Sequence, residues 1–290
     1  MQTSVTSGAV ELSPGNEDSL WVNYYAAGEG PPLVLLHGIG LDSASVSWRY
    51  ALPELAATRR VYAPDLPGHG DSEKPRRRYT TEFYVDVVEQ FVERLGLDEP
   101  GLVGLSMGGG VALGYALENP VDRLVLVDSY GLGTDAYWRP SAALALRTPF
   151  FDRARWGSLG LNRWTVEGNL RLLTANPDEQ FVADVHEAVQ DPATGRALSS
   201  WQRSEFRACG FRTCYLDDLD RIDVPTLLVH GADDPLFPAS WSERAHGLLP
   251  DSRLALFEDC GHWPPRERPD RFNSAVAGFL APATATGASD

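Results

Sequence analysis

Six short apolar runs place the strongest constraint on the fold of this 290-residue chain. Gly, Asp or Pro lies at or beside the ends of the runs. Continuous apolar runs of this length are typical of strands that are buried on both faces, as in a parallel sheet. The runs cover residues 31–38, 59–66, 100–105, 121–129, 224–231 and 251–258.

Stretches with helical periodicity separate several of these runs. They cover residues 80–97, 109–120 and 240–250. Thr80 is expected to cap the first stretch, and Pro120 and Pro250 to end the other two. Such alternation predicts an α/β fold, with a mostly parallel sheet and helices on both faces. Residues 19–30 are expected to add an antiparallel hairpin strand at the edge of the sheet.

The alternation stops between residues 134 and 214, where helix-like patches replace the strand-like runs. This segment holds four of the eight tryptophans, and its ten Arg nearly balance its nine Asp and Glu, whereas the rest of the chain is acidic. A nearly neutral, aromatic-rich insertion of this kind is expected to form a lid. We therefore predict a core domain of residues 1–133 and 215–290 and a helical cap of residues 134–214.

Charge and composition argue against several classes of function. A net charge of −15 disfavours nucleic acid, because phosphate binding depends on basic surface. No apolar run approaches the ~18 residues of a membrane span, and the first 20 residues lack the features of a secretory signal. Three cysteines without a C-x-x-C pair predict neither a disulfide framework nor a zinc site. We expect a cytoplasmic monomer or homodimer that binds a small-molecule substrate, and neither nucleic acid nor a membrane.

A candidate nucleophile follows the third apolar run, in Gly104-Leu105-Ser106-Met107-Gly108. A serine hydroxyl attacks only when a base removes its proton and an anion-stabilising pocket faces it. A sharp turn from strand to helix meets both needs, and it requires small residues two positions before and after the serine. The motif therefore predicts that Ser106 is a nucleophile at the start of a helix.

The partners of such a serine are expected later in the chain, at the ends of strands. Asp233 and Asp234 follow one apolar run, and His262 follows the next. The resulting order of serine, acid and histidine is one of the known orders for a catalytic triad. Asp128, which ends the fourth run, competes for the role of the acid.

These motifs resemble the α/β-hydrolase superfamily, in particular its lidded serine hydrolases. The group includes carboxylesterases, haloperoxidase-like enzymes and meta-cleavage-product carbon–carbon hydrolases. The family pattern G-x-x-D implies that Asp234 is the acid, with Asp233 as its fallback, and the pattern G-H implies that His262 is the base. The H-G-x-G turn at residues 37–40 implies an oxyanion hole made by the backbone N–H groups of Ile39 and Met107.

Other residues near these motifs receive weaker assignments. We assign Gly38, Trp138 and Trp263 to the substrate pocket, although packing explains the two tryptophans equally well. His37 and His69 lie in glycine turns, where histidines usually brace a loop. No carboxylate–histidine cluster has metal-ligand spacing and no G-x-G-x-x-G follows the first apolar run, so we expect neither a metal nor a cofactor.

The expected reaction is hydrolysis of a small or medium carboxylic ester through an acyl-enzyme on Ser106. His262 acts as the base and Asp234 as the acid in this scheme. The first alternative is carbon–carbon bond hydrolysis of the meta-cleavage-product type, because residues 261–273 resemble the equivalent stretch of that group. The second is a ligand receptor with slow turnover on the same fold, since fold does not determine function.

Overall fold

A computed structural model describes residues 4–16, 18–136, 162–175, 177–191, 193–207 and 210–281. The strands in these residues are β1 (Thr6–Leu12), β2 (Leu20–Ala27), β3 (Pro32–Leu36), β4 (Arg60–Pro64), β5 (Gly101–Leu105), β6 (Leu124–Val127), β7 (Phe206–Arg207), β8 (Gly210–Phe211), β9 (Thr226–Gly231) and β10 (Ser252–Phe257). The helices are α1 (Ala44–Ser47), α2 (Ala51–Leu55), α3 (Thr81–Leu95), α4 (Met107–Glu118), α5 (Arg163–Leu170), α6 (Glu179–Ala188), α7 (Thr194–Glu205), α8 (Ser240–Leu248), α9 (Pro264–Glu267) and α10 (Pro269–Leu280). Short 3₁₀ helices cover Pro14–Asn16 and Leu216–Arg221.

One sheet organises the described part of the chain, with strand order β1-β2-β4-β3-β5-β6-β9-β10. β1 and β2 are antiparallel to their neighbours, and the other six strands are parallel. Each of the six apolar runs forms one of these parallel strands, which confirms the predicted fold class. A separate antiparallel pair joins β7 to β8.

The position of β2 differs from the prediction. Residues 19–30 were expected at the edge, but β1 pairs along the outer side of β2 and forms the edge itself. β1 is difficult to recognise because most of its seven residues are exposed or half-buried. A strand that buries so little apolar surface leaves a weak pattern in the sequence.

The core lies on both faces of the sheet because consecutive strand residues point to opposite sides. In β3, Val34 and Leu36 pack with α3 and α4, whereas Leu33 and Leu35 pack with α1, α2 and α10. All four side chains are fully buried. Burial on both faces explains why the strands appear in the sequence as continuous apolar runs.

The predicted helix signals match the observed ends. The Thr80 side chain accepts the Phe83 N–H at 3.1 Å and caps α3, which ends at Gly96 with φ 61°. α4 ends two residues before Pro120, and α8 two residues before Pro250. No described helix is long and apolar enough to cross a membrane.

Helices α5, α6 and α7, which we call the insertion helices, lie between β6 and β9 in the chain. α7 packs on the core: a Cβ on Gly40 would lie 2.9 Å from the Leu198 side chain, and Trp201 Nε1 donates to Thr81 Oγ1 at 3.2 Å. Residues 137–161 lie outside the described part of the chain. The limits of the predicted cap, residues 134–214, therefore stay a prediction.

The strand order reverses at β3, since β4 lies on one side of it and β5 on the other. A parallel sheet opens a crevice at the carboxyl ends of its strands where the order reverses in this way. The turn of residues 37–40 follows β3, and Ser106 follows β5. The topology therefore brings these two motifs together.

Candidate active site

Ser106 lies on a sharp turn between β5 and α4. Its φ of 54° and ψ of −118° are values that a residue with a side chain rarely adopts. A Cβ on Gly104 would collide with the carbonyl oxygen of Gly108, and a Cβ on Gly108 with that of Leu36. The close approach of strand, turn and helix therefore requires glycine at both positions, as the motif predicts.

The Ser106 hydroxyl is buried and unbonded. The residue is 8% exposed, and its Oγ makes no hydrogen bond to any described residue, His262 included. A Cβ on Gly38 would lie 3.4 Å from the Ser106 Cβ, so the turn after β3 lies against the serine. Met107 begins α4, and the N–H groups of a first helical turn lack acceptors within the helix.

The turn after β3 presents an unused backbone N–H. Gly38 N–H donates to Asp42 Oδ2 at 2.7 Å, and Gly40 N–H donates to His69 Nε2 at 3.1 Å. The Ile39 N–H between them has no acceptor among the described residues. The Ile39 and Met107 amides thus come from the two segments that meet at Ser106, an arrangement suited to holding an oxyanion.

Two buried histidines brace this turn. His37 Nδ1 donates to the Gly38 carbonyl at 2.7 Å and its Nε2 accepts the Leu66 N–H at 2.9 Å, while His69 accepts the Gly40 N–H. Burial, followed by the charge of His69, lowers the pKa of His37 well below its usual range, and burial lowers the pKa of His69 to about 4. Both rings are therefore neutral, as an accepting Nε2 requires.

His262 and Asp234 form a direct pair. Nδ1 of His262 lies 2.8 Å from Oδ2 of Asp234, and Oδ1 of Asp234 accepts the Leu236 N–H at 2.7 Å. Burial alone would raise the pKa of Asp234, but the charge and hydrogen bond of His262, together with His230, hold it below its usual value. Asp234 is therefore a carboxylate that orients the imidazole of His262.

Asp128 and Asp233 occupy different positions. Asp233 is exposed, while Asp128 is fully buried and accepts the Gly231 N–H at 2.9 Å. The ligand atoms of Asp128, Asp234 and His262 lie within 4.8 Å of one another. The structure thus places Asp234 at Nδ1 of His262, with Asp128 beside the pair.

The family follows from comparison with known proteins. Residues 31–269 match the model of the alpha/beta hydrolase fold. The chain belongs to the alpha/beta hydrolase fold family. The 2-hydroxymuconate semialdehyde hydrolase of Pseudomonas sp. (strain CF600) is 31% identical to it over 280 residues, which cover 91% of each chain.

Two further relatives of this alpha/beta hydrolase differ in the reaction that their names state. The pimeloyl-(acyl-carrier protein) methyl ester esterase of Aromatoleum aromaticum is 34% identical, covering 83% of this chain and 94% of the esterase. A solved meta-cleavage product hydrolase from Pseudomonas fluorescens IP01 has a TM-score of 0.77 at 28% identity, covering 93% of this chain and 97% of that one. Together the comparisons support an alpha/beta hydrolase enzyme.

Aromatic side chains flank the histidine of this alpha/beta hydrolase. The Phe237 ring lies 5.5 Å from the His262 ring and stacks on Trp241 at 4.8 Å. Trp263 is buried, and its Nε1–H donates to Ser47 Oγ at 2.8 Å. Its ring packs edge to face against a phenylalanine ring of α6, one of the insertion helices. Trp138 lies outside the described residues, so its pocket role and that of Trp263 stay predictions.

The sequence did not reveal two supporting carboxylates. Asp42 accepts the N–H groups of Gly38 and Ser43 and the hydroxyl of Ser47, and so fixes the turn before the Ile39 amide. Its position directly before Ser43, which caps α1, is the only local signal of this role, and it was not used in the sequence analysis.

The second carboxylate is Glu267, which holds the histidine loop. It accepts the N–H groups of Gly261 at 3.0 Å, Trp263 at 3.0 Å and Ala175 at 2.7 Å. Ala175 belongs to the chain segment after α5, so Glu267 ties the loop to the insertion. No local pattern reveals this role, because the three amides meet only in the folded chain.

Hydrogen bonds already occupy several of the atoms that could bind a metal ion in this cluster. Asp128, Asp234 and His262 have the spacing of a metal site among the described residues. Nδ1 of His262 is bonded to Asp234, and Oδ1 of Asp128 accepts a backbone N–H. The arrangement suits proton transfer better than metal binding.

Proposed function

We propose that this protein is a serine hydrolase that transfers an acyl group from its substrate to water through an ester on Ser106. The 2.8 Å hydrogen bond between His262 and Asp234 carries the proposal, because it is the pairing that a serine nucleophile needs in its base. The strained turn at Ser106 and the unbonded Ile39 N–H, in the turn that lies against the serine, support it.

The first half of the reaction forms the acyl-enzyme. Ser106 Oγ attacks the substrate carbonyl carbon while Nε2 of His262 takes the hydroxyl proton. Asp234, which stays ionised, stabilises the resulting imidazolium. The Ile39 and Met107 N–H groups hold the oxyanion, and preorganised donors of this kind contribute about 3 to 4 kcal/mol each to the barrier reduction.

The second half releases the acyl group. The tetrahedral intermediate collapses, the bond to the leaving group breaks, and the proton on His262 passes to that group. Water then attacks the ester on Ser106, with His262 again accepting the proton. The products are a carboxylic acid and the protonated leaving group, and the enzyme returns to its starting state.

Carbon–carbon hydrolysis is the first substrate class that we propose. The names of several relatives support it, among them 2-hydroxymuconate semialdehyde hydrolase and 2-hydroxy-6-oxo-2,4-heptadienoate hydrolase. In such a dienoate the broken bond joins a carbonyl carbon to an alkene carbon, so the enol must tautomerise to its ketone before that carbon can leave as a conjugated anion. His262 then protonates carbon in place of the oxygen that an ester would release.

Ester hydrolysis is the second candidate. The pimeloyl-(acyl-carrier protein) methyl ester esterase relative supports it, and an ester requires the same serine, histidine and oxyanion donors. The apolar ring of Phe237, 5.5 Å from the His262 ring, suits an alkyl acyl chain. This was the reaction expected from the sequence.

One comparison of substrates separates these candidates. Purified protein is assayed with a 2-hydroxy-6-oxo-2,4-dienoic acid and with p-nitrophenyl acetate, butyrate and octanoate, beside Ser106→Ala and the exposed control Ser19→Ala. We expect the larger kcat/KM for the dienoic acid and loss of all turnover in Ser106→Ala alone. Turnover of esters only makes the esterase the better assignment. If the protein turns over neither class of substrate, the proposal of a hydrolase is contradicted. The ligand receptor on the same fold then becomes the better assignment.

A further inference from the structure

A second carboxyl group lies against the proposed triad, and the mechanism above does not use it. Asp128 directly follows β6, is fully buried and has φ 42°, which is unusual for a residue with a side chain. Its Oδ1 accepts the Gly231 N–H at 2.9 Å, whereas its buried Oδ2 meets no N–H or O–H donor among the described residues. An ionised Asp128 would leave this oxygen without a partner, which is costly in a buried site.

The groups that face Asp128 bring little positive charge. His230 Nε2 lies 3.5 Å from Asp128 Oδ1, but Nε2 also meets the Phe237 carbonyl at 3.1 Å while Nδ1 meets Ser242 Oγ at 2.7 Å. Burial lowers the pKa of His230, so this ring is neutral and donates to the carbonyl. His262, the other imidazole of the cluster, is paired with Asp234.

Among the described residues, Cys260 and Glu267 are further titratable groups near Asp128. Burial raises the pKa of the Cys260 thiol, which stays protonated, and Glu267 carries the same sign of charge as an aspartate. No Arg or Lys of the described residues lies within ion-pair distance of Asp128. Two ionised aspartates would therefore share one imidazole in a buried cluster, and like charges so placed cannot both persist.

A proton on Asp128 resolves this conflict. The ligand atoms of the Asp128 and Asp234 carboxyl groups lie within 4.8 Å of each other, and a proton on Oδ2 makes Asp128 a donor for the neighbouring carboxylate. Asp234 offers unused lone pairs, since its bonds to Leu236 and His262 leave acceptor capacity on both oxygens. The same proton gives Oδ2 of Asp128, which otherwise has no hydrogen-bond partner among the described residues, a hydrogen bond.

We propose that Asp128 is a positioning residue that stays protonated and donates a hydrogen bond to the Asp234 carboxylate, which holds that carboxylate against His262. The inference rests on the proposed function, because it assigns the pair to a catalytic triad. Burial and then the charge of Asp234 raise the pKa of Asp128 well above its usual value, in agreement with the geometry. One negative charge is thus spread over two carboxyl groups, which limits how strongly Asp234 stabilises the imidazolium.

Infrared spectroscopy tests the proton without any substrate. A protonated carboxyl group has a C=O band that ionised carboxylates lack and that shifts in heavy water. We expect this band at pH 7 in wild-type protein and in the exposed control Asp233→Asn, and its loss in Asp128→Asn. Identical bands in wild type and Asp128→Asn overturn the proposal.

The pH dependence of kcat/KM tests the role of the proton. Asn has the charge of a protonated Asp and keeps both a donor and an acceptor. Asp128→Asn should therefore fold and keep kcat/KM within about threefold, and the acid-side midpoint of its pH profile should be unchanged. If Asp128 were ionised, Asn would remove a negative charge beside His262 and lower that midpoint by about one pH unit. A lower midpoint or loss of folding therefore overturns the proposal.

Asp128→Leu removes the donor with little change in volume. We expect a higher acid-side midpoint, because Asp234 then concentrates its charge on the imidazolium. An unchanged midpoint in the folded variant contradicts the proposal, since a merely structural role would alter stability and not the midpoint. The infrared result decides the matter without turnover, so failure of the proposed hydrolase and failure of this inference can be told apart.

Discussion

At the scale of single residues, one hydrogen bond distinguishes the three candidate acids. Asp234 alone of the three lies at His262 Nδ1, so Asp234→Asn should lower kcat by about 10⁴, because the amide no longer selects the correct tautomer. Asp233→Asn, next to it but exposed, is the control and should keep wild-type turnover. Steady-state kinetics on the preferred substrate measures both, and a larger loss in the control would refute the assignment.

Asp42 gives a residue-scale prediction for stability. Burial raises its pKa to about 6 from 3.8, so the folded chain holds this proton more tightly than the unfolded chain. The stabilising contribution is complete below pH 3.8 and is lost as the pH rises through 6. Asp42→Asn cannot titrate, so its free energy of unfolding should gain about 2 to 3 kcal/mol relative to wild type between pH 4 and pH 7.

Urea unfolding at both pH values measures this change. The exposed variant Asp18→Asn is the control, and its difference from wild type should stay constant over the same range. A constant difference for Asp42→Asn as well would show that the buried carboxyl does not titrate as stated.

At the scale of elements, substitutions at two positions of the turn between β5 and α4 are expected to have opposite effects. Gly104→Val should abolish turnover and destabilise the fold, since its side chain meets the backbone of Gly108. Met107→Leu should leave kcat unchanged and cost less than about 1.5 kcal/mol, because the buried side chain only packs and the backbone N–H remains. Thermal unfolding and kinetics on both variants check this, and a strong kcat loss in Met107→Leu would contradict it.

The histidine loop gives a second element-scale prediction. Glu267→Ala removes the acceptor for Gly261, Trp263 and Ala175, so we expect kcat to fall about tenfold or more and stability to fall by about 2 to 3 kcal/mol. The exposed variant Glu258→Ala should change neither quantity. Unchanged kcat in a destabilised Glu267→Ala protein would show that the loop keeps its geometry without this carboxylate.

The sequence predicts the elements that bury much apolar surface better than those that bury little. The six parallel strands are evident because both of their faces are covered, and α3 because Thr80 caps it. β1 escapes recognition since seven mostly exposed residues leave no strong alternation. Its pairing with β2 also moves β2 away from the edge, which no local pattern indicates.

At the scale of the whole molecule, the sequence predicts groups held by local motifs better than groups held by tertiary contacts. Ser106, Ile39 and Met107 lie in turns whose shape short motifs specify. Asp42 and Glu267 act through backbone amides that only the folded chain brings to them. The resemblance to a family selected Asp234, and the structure places it at His262.

The topology supplies the long-range part of the site. β3 and β5 are adjacent although α1, α2, β4 and α3 separate them in the chain, and this adjacency sets Gly38 against Ser106. The insertion adds contacts from the other side, since the Leu173 carbonyl accepts the His262 N–H at 2.8 Å. The geometry of the candidate site is therefore a property of the folded core together with the insertion.

The most direct measurement is the reaction of the protein with a fluorophosphonate probe, followed by intact mass and peptide mapping. An activated serine forms a covalent adduct, so we predict one adduct per chain, on Ser106, with none in Ser106→Ala and much slower labelling in His262→Ala. Folded wild-type protein that carries no adduct at Ser106, or that is labelled equally in Ser106→Ala, would contradict the proposal that this serine is the nucleophile of a hydrolase.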